Sequence, residues 1–117
     1  MITVGFFEDF VKKNEFPLDI IPLTDYKIPH ITHNGGRECV TNIILLKDKF
    51  IFHTDNCAYS KENTYTLGNL LNFIQQHKIP RSMPIYLDVS MEDNLKQVMG
   101  FSYVPGESRL YEFIIHA

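Results

Sequence analysis

Tryptophan is missing from this chain, and cysteine occurs only twice in 117 residues. With nine phenylalanines and six tyrosines as its aromatic bulk, the core is expected to be rich in phenylalanine. Cys39 and Cys57 are too few for a disulfide framework in a chain of this length, so free thiols are expected. No run approaches the roughly 20 apolar residues of a membrane-spanning helix. The first residues lack the basic-then-apolar pattern of a secretory leader, because Glu8 and Asp9 interrupt them. These features predict a cytoplasmic protein with no membrane contact. Concentrated positive charge is lacking too: the net charge is −3, and Lys12-Lys13 is the only adjacent Lys/Arg pair. Binding nucleic acid by phosphate neutralisation needs a basic face, so the reading is no nucleic acid.

What the chain has instead is a recurrence. Thr3-Val4-Gly5, Phe10-Val11 and Pro17 return as Thr66-Leu67-Gly68, Phe73-Ile74 and Pro80, always 63 positions later (3 to 66, 17 to 80). Phe7 matches Leu70, Phe16 matches Ile79, and Phe50-Ile51-Phe52-His53 matches Phe113-Ile114-Ile115-His116 at the same offset. The pattern predicts one domain made of two repeats, residues 1–54 and 65–117, with 55–64 as a linker. The length suffices for one hydrophobic core, and neither half alone buries enough apolar surface to stand by itself.

Each repeat opens on a helix. Thr3 and Thr66 are good amino-terminal caps. Val4, Phe7 and Val11, and Leu67, Leu70, Leu71 and Ile74, form apolar stripes at helical spacing. Glu8 and Asp9 early and Lys12-Lys13 late suit the helix dipole, as does His77-Lys78 in the second copy. Gly5 and Gly68 cost helix stability, which predicts that other backbone passes close to both. Strands are expected at Ile20–Leu23 and Ile85–Val89. Hairpins are expected from Val40–Leu46 with Phe50–Thr54, and from Val98–Val104 with Arg109–His116. The fold class is therefore α+β: two helix-strand-hairpin repeats forming a largely antiparallel sheet packed by two helices. The copies differ most at Thr24–Glu38, whose counterpart Ser90–Gln97 is far shorter, and enlarged loops on a rigid scaffold commonly carry function.

Thr66-Leu67-Gly68-Asn69-Leu70-Leu71, then Pro80, Met83-Pro84-Ile85-Tyr86 and Val98-Met99-Gly100, resemble a group of small phage, prophage and mobile-element proteins. That group carries a T-V-G-x-L-I helix, a P-x-x-x-P-V-Y turn into a strand, and a V-x-G-V strand. The resemblance is strongest in residues 66–100 and its motifs are structural. It implies a small α+β scaffold and an accessory role, often the blocking of a host or competitor protein, and it brings no catalytic residues.

Chemistry-bearing residues are few. His30, His33, His53 and Cys57, with Cys39 nearby, are ligand types that suit zinc, yet their spacing matches no standard zinc module. A cysteine–histidine nucleophilic pair lacks an activating motif around either cysteine. Asp88, Glu92, Asp93 and Glu107 do not follow a cation-loop pattern. Gly35-Gly36 precedes a strand rather than a helix, so it is no phosphate cradle. Tyrosine is enriched at recognition surfaces, and Tyr26 and Tyr59 fall in loop-like sequence. The expectation is a non-catalytic binding protein, monomer or homodimer, with no cofactor. Its protein partner would be met by Tyr26, His30, His33, Arg37, Glu38 and Tyr59. The alternatives are a zinc protein or metal-dependent enzyme using His30, His33, His53 and a cysteine, and a nucleotide-like ligand held by Arg37, Arg81 and Arg109.

Overall fold

The computed structural model describes residues 1–27, 37–56, 64–89, 94–104 and 112–117. Along the chain run α1 (Val4–Lys13), β1 (Leu23–Lys27), β2 (Arg37–Leu45), β3 (Phe50–Asn56), α2 (Leu67–Gln76), β4 (Ile85–Val89), β5 (Lys96–Gln97), β6 (Gly100–Val104) and β7 (Glu112–His116).

Both helices begin where the threonines cap them. Thr3 accepts from the Phe6 N–H, and Thr66 with Asn69 forms a reciprocal capping box. Both end in the same way. The Glu15 and Phe16 N–H groups return to the Lys12 and Val11 carbonyls, and those of Lys78 and Ile79 to Gln75 and Ile74. That is a Schellman closure, and it puts Glu15 (φ 52°) and Lys78 (φ 51°) in the left-handed region. The dipole expectation changes in detail. No acidic residue lies in either first turn, and α2 has no basic residue in its last. Glu8 and Asp9 instead pair with Arg81, at 3.4 and 2.7 Å.

Each helix start is held by the turn that follows the other helix. The Val4 and Gly5 N–H groups donate to the Met83 and Arg81 carbonyls, while those of Leu67 and Gly68 donate to Ile20 and Leu18. These contacts explain both glycines. A Cβ at Gly5 would lie 3.0 Å from the Arg81 carbonyl oxygen, and one at Gly68 would lie 3.1 Å from that of Leu18. The same contacts shift the first strand. Ile20–Pro22 serve as the docking turn, so β1 starts at Leu23 rather than Ile20.

The strands form one sheet in the order β5-β4-β3-β2-β1-β7-β6. It is mixed rather than largely antiparallel, because β3–β4 and β1–β7 pair in parallel. These two joints are the seams between the first and second halves of the sheet. A parallel joint needs a crossover, and α2 supplies it between β3 and β4. Within the halves, β1–β2, β2–β3, β4–β5 and β6–β7 are antiparallel. The strand expected at Val98–Val104 is observed from Gly100 as β6, and β5 precedes the expected span. The two lie at opposite ends of the strand order with only Val98 and Met99 between them in the chain. The Val98 N–H donates to Ile85 and that of Met99 to His116, so one continuous segment links both outer strands of the sheet.

Phe7, Phe50, Phe52 and Phe113 are fully buried in the main core, together with Val4, Leu67, Leu70, Ile85, Leu87 and Ile115. Strand side chains alternate between faces. Phe113 and Ile115 therefore enter this core, while Ile114 joins Leu23 and Cys39 in a smaller cluster on the other face.

Candidate functional site

Because β1 and β7 run in parallel with Leu23 opposite Ile114 and Thr24 opposite Ile115, the next positions, Asp25 and His116, lie side by side. Both project from the face that carries Leu23 and Ile114. His116 Nδ1 is 3.2 Å from Asp25 Oδ2. On the neighbouring strand Ser102 is opposite Ile114, two residues before His116, and the diagonal brings Ser102 Oγ to 2.6 Å from His116 Nε2. A carboxylate can only accept, so Nδ1 carries the ring proton and Nε2 accepts from the serine hydroxyl; this tautomer is assigned from the network. The outcome is a continuous Ser102–His116–Asp25 relay. The histidine is 42% exposed and the aspartate 30%.

A second pair of the same kind crosses the other seam. His53 is opposite Asp88 in the β3–β4 ladder, with Nδ1 2.8 Å from Oδ2 and both side chains about one-third exposed. The hydroxyl is missing there. The position two residues before His53 is Ile51, and its partner on β2 is Ile44, where the other seam has Ser102. Asn42, opposite His53, turns its Oδ1 to the Ile43 N–H instead. Among the described residues, His53 Nε2 meets no hydrogen-bond partner.

Asp25 differs from Asp88 in one further respect. Among the described residues its Oδ1 is buried with no hydrogen-bond partner, an arrangement that costs about 1–3 kcal/mol, and its Oδ2 meets His116.

The other sequence candidates fall elsewhere. His30, His33, Cys57, Tyr59, Glu92, Asp93, Glu107 and Arg109 lie outside the described residues. Tyr26 is half-buried against the main core, with Lys96 Nζ 5.9 Å from its ring centre. Arg37 Nη1 donates to the Thr24 carbonyl at 3.1 Å. Glu38 is fully buried and accepts from Thr54 Oγ1 at 2.7 Å, which removes it from the surface expected to meet a partner. Arg81 is engaged by Glu8 and Asp9.

The free-thiol expectation is corrected: Cys39 is disulfide-bonded, and Cys57 is the only other cysteine of the sequence. Cys39 is buried on β2, opposite Asp55 of β3. A disulfide sulfur is no thiolate, which takes cysteine out of both the zinc set and the cysteine–histidine pair. Among the described residues no three His, Cys, Asp or Glu side chains gather as a metal site.

A groove of about 460 Å³ lies between the helices, lined by Glu8, Lys12, Leu71, Asn72, Gln75 and Lys78 among others. It is remote from the relay and contains no catalytic grouping. The sequence reading matches His53 with His116 and weighs Asp88 only as a cation ligand; it omits Asp25, which precedes Asp88 by the same 63-residue offset (25 to 88). That coincidence was the available signal. No protein-family model matches the chain, and neither does any curated protein or any solved structure.

Proposed function

We propose that this chain is a binding protein that recognises another protein at one end of its sheet. The observation that carries this is the strand register. Lys27 is opposite Arg37, Glu38 opposite Asn56, and Thr54 opposite Val89. The described strand ends at Lys27, Arg37, Asn56 and Val89 thus lie at the same end of the sheet, the end nearest in sequence to the enlarged Tyr26–Glu38 connection and the 55–64 linker. Loops grouped on a rigid scaffold are suited to recognition. The resemblance of residues 66–100 to small mobile-element proteins supports an accessory or inhibitory role against a host or competitor protein. The matched caps, helix closures and reciprocal docking bonds at a constant 63-residue offset support duplication as the origin of the scaffold.

Charge favours a protein over nucleic acid as the partner, since the net charge is −3. Coordination of zinc or of a nucleotide is not favoured, because Cys39, Arg37 and Arg81 are already engaged. The disulfide suits an oxidising compartment, where such bonds persist, better than the reducing cytoplasm. No helix among the described residues is long and apolar enough to cross a membrane.

The test replaces residues 28–36 with a Gly-Ser segment of equal length. A stoichiometric complex with the native partner, read by light scattering, should be lost while the melting temperature stays within a few degrees. A complex that survives this exchange and a matching one at 57–63 rejects the surface.

A further inference from the structure

The geometry points to an activity beyond recognition: Ser102 is a nucleophile for acyl transfer, with His116 as its general base and Asp25 as the group that orients the imidazole. This does not rest on the binding proposal. It follows from the two seams. Both carry a histidine held by an aspartate across parallel strands, at 2.8 Å in one and 3.2 Å in the other. Stapling a seam needs no more than that pair. At the β1–β7 seam a hydroxyl is added at 2.6 Å on the far side of the ring, from the strand position that holds Ile44 in the other half. The three groups then stand in the order that activates a serine: hydroxyl, imidazole, carboxylate. All three are on the sheet face opposite the main core, and His116 is 42% exposed, so a substrate can approach. The substrate class that fits is a carboxylic ester reached from open solvent.

The steps balance without a further reagent. Ser102 Oγ bonds to the acyl carbon as its proton passes to His116 Nε2, and the departing alkoxide takes that proton to leave as an alcohol. Water then gives a proton to Nε2 and attacks the acyl carbon. Ser102 Oγ departs and recovers the proton. Asp25 accepts from Nδ1 and orients the ring throughout.

The experiment reads covalent capture, which does not depend on efficient turnover. Purified protein is treated with diisopropyl fluorophosphate, and the adduct is located by peptide mass spectrometry. In that reaction the serine oxygen replaces fluoride on phosphorus and His116 takes the proton. We expect one adduct per chain, on Ser102, absent from Ser102→Ala. His116→Gln and Asp25→Asn should each slow it by about 100-fold or more, the usual range for a general base. His53→Gln should leave it within about twofold, because His53 touches neither Ser102 nor His116. Circular dichroism identifies the folded variants, and p-nitrophenyl acetate hydrolysis by the wild type gives a second readout with the same expected ranking. No adduct on Ser102 overturns the proposal. So does an unchanged rate in whichever of His116→Gln and Asp25→Asn remains folded.

Discussion

The two seams of the sheet use the same pair of residues and differ in everything around it. At β3–β4 five residue pairs are in register, and His53–Asp88 has further ladder on both sides. At β1–β7 two pairs are in register, and Asp25–His116 lies just past them. The long seam needs its histidine for little, since the ladder and the Phe52 and Leu87 side chains beneath already hold it. The short seam leaves its histidine half open to solvent and beside a serine. An identical side-chain pair can thus be a staple in one setting and part of a relay in another, and the third residue on the adjacent strand decides which.

The largest effect should come from exchanging that third residue. Ile44→Ser places a hydroxyl diagonal to His53, and in combination with Ser102→Ala it should move organophosphate capture to residue 44. An adduct there at a rate at least about 100-fold above that of Ser102→Ala alone, the span of general-base assistance, would make the seams equivalent apart from this position. No capture would show that the open end of β1–β7 matters as well.

Next in size are the apolar residues under each seam. Leu87→Ala and Ile115→Ala both empty fully buried positions, and each should cost about 2–5 kcal/mol in urea denaturation. If the halves form one cooperative unit, fluorescence and circular dichroism should give coincident transitions for both variants. Separate transitions would mean that the short seam opens alone. Cys39→Ala should lower stability by about 2–4 kcal/mol, with no further loss when reductant is added.

Smaller still are the pairs themselves. His53→Gln breaks a one-third exposed contact and should cost no more than about 1 kcal/mol, measured by the urea midpoint. A loss of several kcal/mol would mean that the long seam depends on its staple after all. At the bottom of the scale, Glu15→Gly and Lys78→Gly relieve matched left-handed residues and should each stabilise the protein by up to about 1 kcal/mol in the same assay. Unequal gains would break the likeness of the two helix ends.

Much of the helical part was legible because its determinants are local. The threonine caps and the apolar stripes need only neighbours a few residues away. The closures at Glu15 and Lys78 were less so, since neither residue is the glycine such a position prefers. β1 was misplaced by three residues because the Ile20 carbonyl serves the Leu67 N–H, a contact 47 positions away (20 to 67) that no window reveals. The relay was hidden for the same reason. Asp25, Ser102 and His116 come from three strands, and only the pairing of β1 with β7 and β7 with β6 unites them.

By itself, then, the sequence determined two capped helices, a phenylalanine-rich core, strands at most of their observed places and the recurrence that relates the halves. These follow from periodicity, backbone preference and side-chain size, which act over short stretches of chain. The tertiary structure alone decided the parallel seams, the sharing of Lys96–Val104 between the two outer strands, the bonding of Cys39 and the meeting of Ser102 with His116 and Asp25. Each of those depends on which distant strands become neighbours, and that choice is made by burial of the whole core rather than by any local stretch.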